Sequence, residues 1–159
     1  MAEAVLHRER LRPPVGWWVL AAILVGSVVL AYDAAGGPVW AVPAGLLAAA
    51  MTGWWLLGPA TLDILVDSDG LHVGAACLPF WAMGPASALD PAETSAARGR
   101  DADPRGYYAI TGHVRTAVRV VVDDPADPVP SWLVSSRAPS ALVAALDAGR
   151  AIRPRSPGR

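Results

Sequence analysis

His7, His72, His113 and Cys77 are the side chains of this chain that could ligate a transition metal, and their spacing argues against it. Structural zinc sites draw on ligand pairs a few residues apart. These four do not supply the two such pairs that a zinc site needs. Cys77 sits beside Leu78 in an apolar stretch and reads as a buried, inert thiol. Asp123, Asp124 and Asp127 gather carboxylates as a calcium loop would, but Pro125, Pro128 and Pro130 interleave with them and favour turns. Ser135-Ser136-Arg137 precedes the last expected helix, where free amides can hold a phosphate; a strand end followed by an ordinary helix start is the preferred reading. No GxSxG, Walker-type loop, HExxH or EF-hand pattern occurs. No catalytic, cofactor or metal site is therefore expected, and no enzyme.

The basic groups carry a different chemistry. All thirteen are arginine, and two sets flank the chain: Arg8, Arg10 and Arg12 near the start, and Arg150, Arg153 and Arg155 near the end. Such groups suit an anionic membrane leaflet, at ~1 kcal/mol each near its surface. The net charge of −1 gives no whole-molecule attraction to nucleic acid. One cysteine excludes an intrachain disulfide.

The elements that must position these residues fall into two solvents. Between Val15 and Ala60 the only charged side chain is Asp33. Two apolar runs, Val15–Tyr32 and Val39–Leu57, are each about as long as the ~30 Å hydrocarbon core at ~1.5 Å per residue. A signal peptide has a shorter apolar core, and here a second run follows at once. The short connection DAAGGP makes the two spans antiparallel. Trp17 and Trp18 then share one interface with Trp54 and Trp55, while Tyr32 and Trp40 mark the opposite one. Ala41, Gly45, Ala49 and Gly53 recur every fourth residue, with a shorter match at Ala22 and Gly26. Small residues so spaced suggest a packing seam within the hairpin or between protomers. The arginines before the first span place both termini in the cytoplasm.

The expected organisation is a cytoplasmic tail over 1–14, a hairpin over 15–58 with spans at 15–33 and 38–57, a cytoplasmic domain over 59–149, and a disordered basic tail over 150–159. After Gly58-Pro59 the pattern changes to alternation. Strands are expected over 62–66, 71–75, 78–83, 85–89, 107–111, 117–123 and 131–135, with a loop or short helix over 90–106. A helix starting near Pro139 and ending near Gly149 carries Leu142, Val143 and Leu146.

That order, and the stretch LDILVDSDGLHVGAACLPFWAMGPASALD, resemble bacterial pleckstrin-homology-like domains, in which a helix closes a bent sheet. The resemblance implies an α+β fold of that kind after the membrane hairpin. RERLRPPVGWW, GLHVGAACLP and above all DPADPVPSWLVSSRAPSALVAAL resemble domain-of-unknown-function family 3093, an actinobacterial membrane family. Ser131 departs from that pattern, which has an aromatic before Trp132. The family implies two-pass architecture and carries no catalytic residue over. The function expected is a membrane-anchored interaction or scaffold module, or lipid or small-ligand binding at the inner leaflet. Its partners would be the bilayer and a second protein or a second copy, and no nucleic acid.

Overall fold

The computed structural model describes residues 5–58 and 61–152. They form two units: residues 12–61, and the chain before Arg12 together with the chain after Thr61.

The first unit is a helical hairpin of α1 (Val15–Gly36) and α2 (Pro38–Leu57). The expected six-residue connection contracts to Gly37, because α1 runs on through Asp33 to Gly36. Gly37 reverses the chain at φ 75°, a value that favours glycine, and donates its N–H to the Asp33 carbonyl. Pro38 then opens α2 at the position where its missing N–H costs least. Ser27 and Thr52 return their hydroxyl protons to the carbonyls of Ile23 and Ala48, so neither is left unsatisfied in an apolar setting.

The interhelical seam differs from the expected stripe. Ala41 and Gly45 are buried, but the line continues through half-buried Ala48 and Thr52 to buried Leu56. Ala49 is exposed, and a side chain at Gly53 would meet nothing. A strict four-residue repeat drifts around a 3.6-residue helix by about 40° per step, so it leaves the contact face within two steps. On α1 the half-buried positions are Trp17, Ala21, Val25, Val28 and Val29; Ala22 and Gly26 face outward. The closest fit sets Gly45 against Val29, whose Cγ2 would lie 2.5 Å from an added Cβ.

The second unit begins earlier than the sequence suggests. Residues 7–11 are not tail but strand β1 (His7–Leu11), paired antiparallel with β2 (Leu62–Val66) in a register that sets Leu11 opposite Leu62. Sheet pairing recruits HRERL because Leu11 is fully buried in the core while Arg8 and Arg10 point outward. The sheet continues through β3 (Gly70–Val73) and β4 (Ala76–Pro79) in the order β1-β2-β3-β4. At Pro79 the expected strand over 78–83 breaks into a 3₁₀ turn, Phe80–Ala82, that buries Phe80 and Ala82 and leaves Trp81 exposed.

A second sheet follows: β5 (Met83–Leu89), β6 (Tyr107–Ala109), β7 (Ala117–Val122) and β8 (Ser131–Ser135), ordered β5-β7-β8-β6. The β6–β8 pair is parallel. Between β5 and β6 lies α3 (Pro91–Arg98), started by a reciprocal capping box between Asp90 and Glu93. The inward residues of both sheets, among them Ile64, Leu71, Val118, Val120 and Trp132, share one core with Leu142 and Leu146 of α4 (Pro139–Ile152). Gly149 admits the Phe80 ring at the end of that helix. α4 therefore extends past the expected stop at Gly149, and Arg150 is helical, paired with Asp147 at 3.5 Å, rather than part of a tail. Arg153 and Arg155 lie outside the described residues.

Candidate functional site

Within the hairpin, antiparallel packing brings Trp17 and Trp55 into a stacked pair with ring centroids 5.4 Å apart. Trp18 and Trp54 are exposed beside them; Tyr32 and Trp40 are exposed at the other end. Trp40 also lies over Gly36, close enough to exclude a side chain there. Both helices are long and apolar enough to cross a membrane by length and composition. A cavity of about 490 Å³ opens between them, lined almost entirely by apolar groups that include Leu24, Met51 and both stacked tryptophans.

In the sheet-rich unit the first polar cluster is one the linear spacing hides. Cross-strand pairing sets His72 opposite Cys77, with Sγ 3.7 Å from Nε2. Asp67 Oδ2 lies 3.0 Å from the same nitrogen. Burial raises the Asp67 carboxyl, but N–H groups of Asp69 and Gly70 and the nearby His72 outweigh that and hold it below the usual carboxylate range. Contrary to the sequence reading, Cys77 is exposed, because its strand turns that side chain to the outer sheet face.

Cys77 is still a poor nucleophile. Desolvation first, then the negative charges of Asp67 and Asp69, push its thiol up, away from the reactive thiolate. Nor does this resemble a relay: thiol and carboxylate address one imidazole nitrogen, whereas a triad uses both. Among the described residues no group of three such side chains could hold a metal ion.

The second cluster joins the two ends of the unit. Ser136 Oγ donates to Glu9 at 2.6 Å, and the Arg137 N–H donates to the other carboxylate oxygen at 2.7 Å. The anion held before α4 is thus the chain's own Glu9 rather than a phosphate, and it satisfies an amide ahead of the helix. Ser135 meanwhile accepts from the Thr111 N–H. Glu9 was missed because its partner lies 127 residues away, and HRERL carries no apolar alternation to signal a strand.

Asp124 and Asp127 accept from Ala126 and Val129 N–H, the side-chain turns expected of them. Of the outward arginines, Arg10 pairs with Asp63 at 3.0 Å, with both side chains about half exposed, a contact of little energetic weight. Arg8 shares its face of β1, and Arg12 is exposed.

A family model described as "Protein of unknown function (DUF3093)" matches residues 6–146. The chain belongs to this family. No curated protein and no solved structure matches it. For a family member, the match spans β1, the hairpin and both sheets, so the family unit includes the helices as well as the domain.

Proposed function

We propose that this family member is an integral membrane protein whose sheet-rich unit serves as a pleckstrin-homology-like interaction or scaffold module on the cytoplasmic side. The observation that carries the membrane part is exposure. α1 buries no residue, and side chains such as Leu20, Ile23, Leu30, Leu46 and Leu47 are more than half exposed. Roughly 1.5–3 kcal/mol for each large apolar group left in water counts against an aqueous setting for the hairpin. A core helix of a soluble protein would bury that face.

Register supports one-sided topology. Leu11 and Leu62 are opposite each other in β1 and β2, so the hairpin leaves and rejoins the sheet at neighbouring residues. Both ends of the hairpin then belong on one side of the bilayer. The N-terminal arginines Arg8, Arg10 and Arg12 favour the cytoplasm as that side.

The pleckstrin-homology-like reading rests on a four-strand antiparallel meander, a second sheet and a closing helix. The interaction role rests on the chemistry described: no metal group among the described residues, a thiol held protonated, and an anion site filled by Glu9.

Crosslinking in native membranes followed by purification in mild detergent should recover a reproducible partner, another protein or a second copy. Recovery of the monomer alone, with and without crosslinker, would overturn the interaction role. For topology, Ala35→Cys in a Cys77→Ser background should react with an impermeant maleimide on intact cells. Ala35 is exposed, whereas a side chain at Gly36 would strike Trp40. Reaction only after permeabilisation would reverse the orientation.

A second reading, binding to the anionic inner leaflet, is favoured by Arg8 and Arg10 emerging on one face of β1, four and two residues before the hairpin unit. Liposome flotation of the sheet-rich unit, β1 included, should weaken steeply with salt; salt-insensitive or absent binding to anionic vesicles excludes it.

A further inference from the structure

The outer face of the second sheet is only partly covered. Strand alternation directs Leu89, Ala117 and Leu133 outward, and α3 covers them with Ala97. α3 has eight residues, and of the row Ser87–Arg119–Leu133–Tyr108 it covers Leu133 while Ser87 and Tyr108 stay exposed and Arg119 half-buried. Two cavities adjoin there, of about 380 and 220 Å³, sharing Ala97, Asp101 and Arg119. Volumes of this order suit small ligands, with the larger cavity inside the usual range of ~300–1,000 Å³.

The charged groups in these cavities are unequal in their commitments. Glu93 accepts the Asp90 N–H within the capping box. Asp101 lies 3.4 Å from Arg100. Asp103 accepts the Arg105 N–H at 2.9 Å, and this bond heads the causes that lower its carboxyl pKa. Tyr108 donates its hydroxyl to the Asp103 carbonyl at 3.0 Å, fixing the ring at the cavity edge. Arg119, common to both cavities and half-buried on β7, has no ion-pair partner among the described residues. A guanidinium so placed presents a planar fork of donors to whatever enters.

From this juxtaposition we propose that the α3–β7 groove is a binding site for a small amphipathic monocarboxylate, with Arg119 pairing to its carboxylate. The apolar body would lie on Leu89, Ala92 and Ala96, which line the larger cavity and are not buried. The neighbouring acids decide against a phosphate. Asp101 and Asp103 line the same space, and like charge disfavours a dianion more than a monoanion. A planar carboxylate also matches the guanidinium in the two-pronged mode. The site belongs to the sheet-rich unit alone and stands or falls independently of the scaffold reading.

The test is equilibrium dialysis of radiolabelled phenylacetate against the full chain in lipid nanodiscs, with empty nanodiscs subtracted, and with phenylphosphonate and benzyl alcohol as competitors. Phenylacetate should bind saturably, benzyl alcohol should compete at least tenfold less well, and phenylphosphonate should be the weaker anion at pH 8. Arg119→Gln should weaken binding tenfold or more, Arg119→Lys less, and Arg10→Gln on the other sheet not at all. Circular dichroism of each variant separates lost binding from lost fold. No saturable binding to wild type, binding unaltered by folded Arg119→Gln, equal loss with Arg10→Gln, or tighter binding of the phosphonate each overturns the proposal.

Discussion

The hairpin and the sheet-rich unit place their apolar side chains in opposite ways, and the hairpin is the richer in them. In the hairpin, helical hydrogen bonds satisfy the backbone locally, and apolar side chains face outward, with α1 burying none. In the sheet-rich unit, backbone partners come from distant strands and the apolar side chains converge on one core. The hairpin is also an insertion: it separates β1 from β2, which pair as if joined by a tight turn. A pair of antiparallel helices is suited to that place because it returns the chain to where it left.

The sharpest break of that comparison is to remove the insertion. Replacing residues 12–61 with Asn-Gly should yield a soluble, cooperatively folding domain, whereas a chain beginning at Leu62 should not fold, since it lacks Leu11 and the Glu9 contact. Gel filtration and thermal melts followed by circular dichroism would show both. A folded Leu62 chain would demote β1 to an accessory strand.

A smaller effect should distinguish the two sides of α2. Gly45→Leu should destabilise the hairpin by about 1–3 kcal/mol through overpacking against Val29, while Ala49→Leu, on the exposed side, should change little. Thermal aggregation in detergent reports the difference; equal effects would mean that the seam runs through Ala49.

In the turn-replaced domain, Glu9→Ala should cost about 1–2 kcal/mol, as loss of a cap and its charge-assisted bonds does, and Glu9→Gln less. Urea titration measures it, and a shift below a few tenths would show the contact to be incidental.

The smallest effect is on pH dependence. Burial, then the charge of Arg137, holds the His113 imidazole below its ordinary value of 6.5. The unfolded chain therefore takes up a proton that the folded chain resists, so stability is full above about 6.5 and falls as pH drops through the lower folded value. Urea midpoints measured from pH 8 to 5 should fall on the acid side, and His113→Gln should flatten that slope. An unchanged slope would place the titration elsewhere.

Legibility followed the range of the interactions. Both helices, the tryptophan ends and the β2–β3 hairpin could be read because their signals lie within some twenty residues: a run of apolar side chains, Asp67-Ser68-Asp69-Gly70, and simple alternation. The family could be read too, and the match over residues 6–146 bears it out. Of the stripe at Ala41, Gly45, Ala49 and Gly53, the first two are buried in the hairpin and Ala49 is exposed, because helical drift carries the later positions off that seam. Cys77 was misplaced because an apolar neighbourhood in sequence says nothing about which sheet face a side chain takes. HRERL gave no sign of its strand role, since three charges in five residues suit a tail and its partner begins fifty-one residues beyond Leu11 at Leu62.

The sequence by itself determined the two apolar helices and the reversal between them, because helical hydrogen bonds and turn chemistry close within a few residues. Only the tertiary structure decided that β1 completes the sheet, that Glu9 fills the anion site before α4, and that Arg119 lies open in a groove beneath α3. Those outcomes depend on strand order and register, which are set by the competition of many segments for one core and are written in no single stretch.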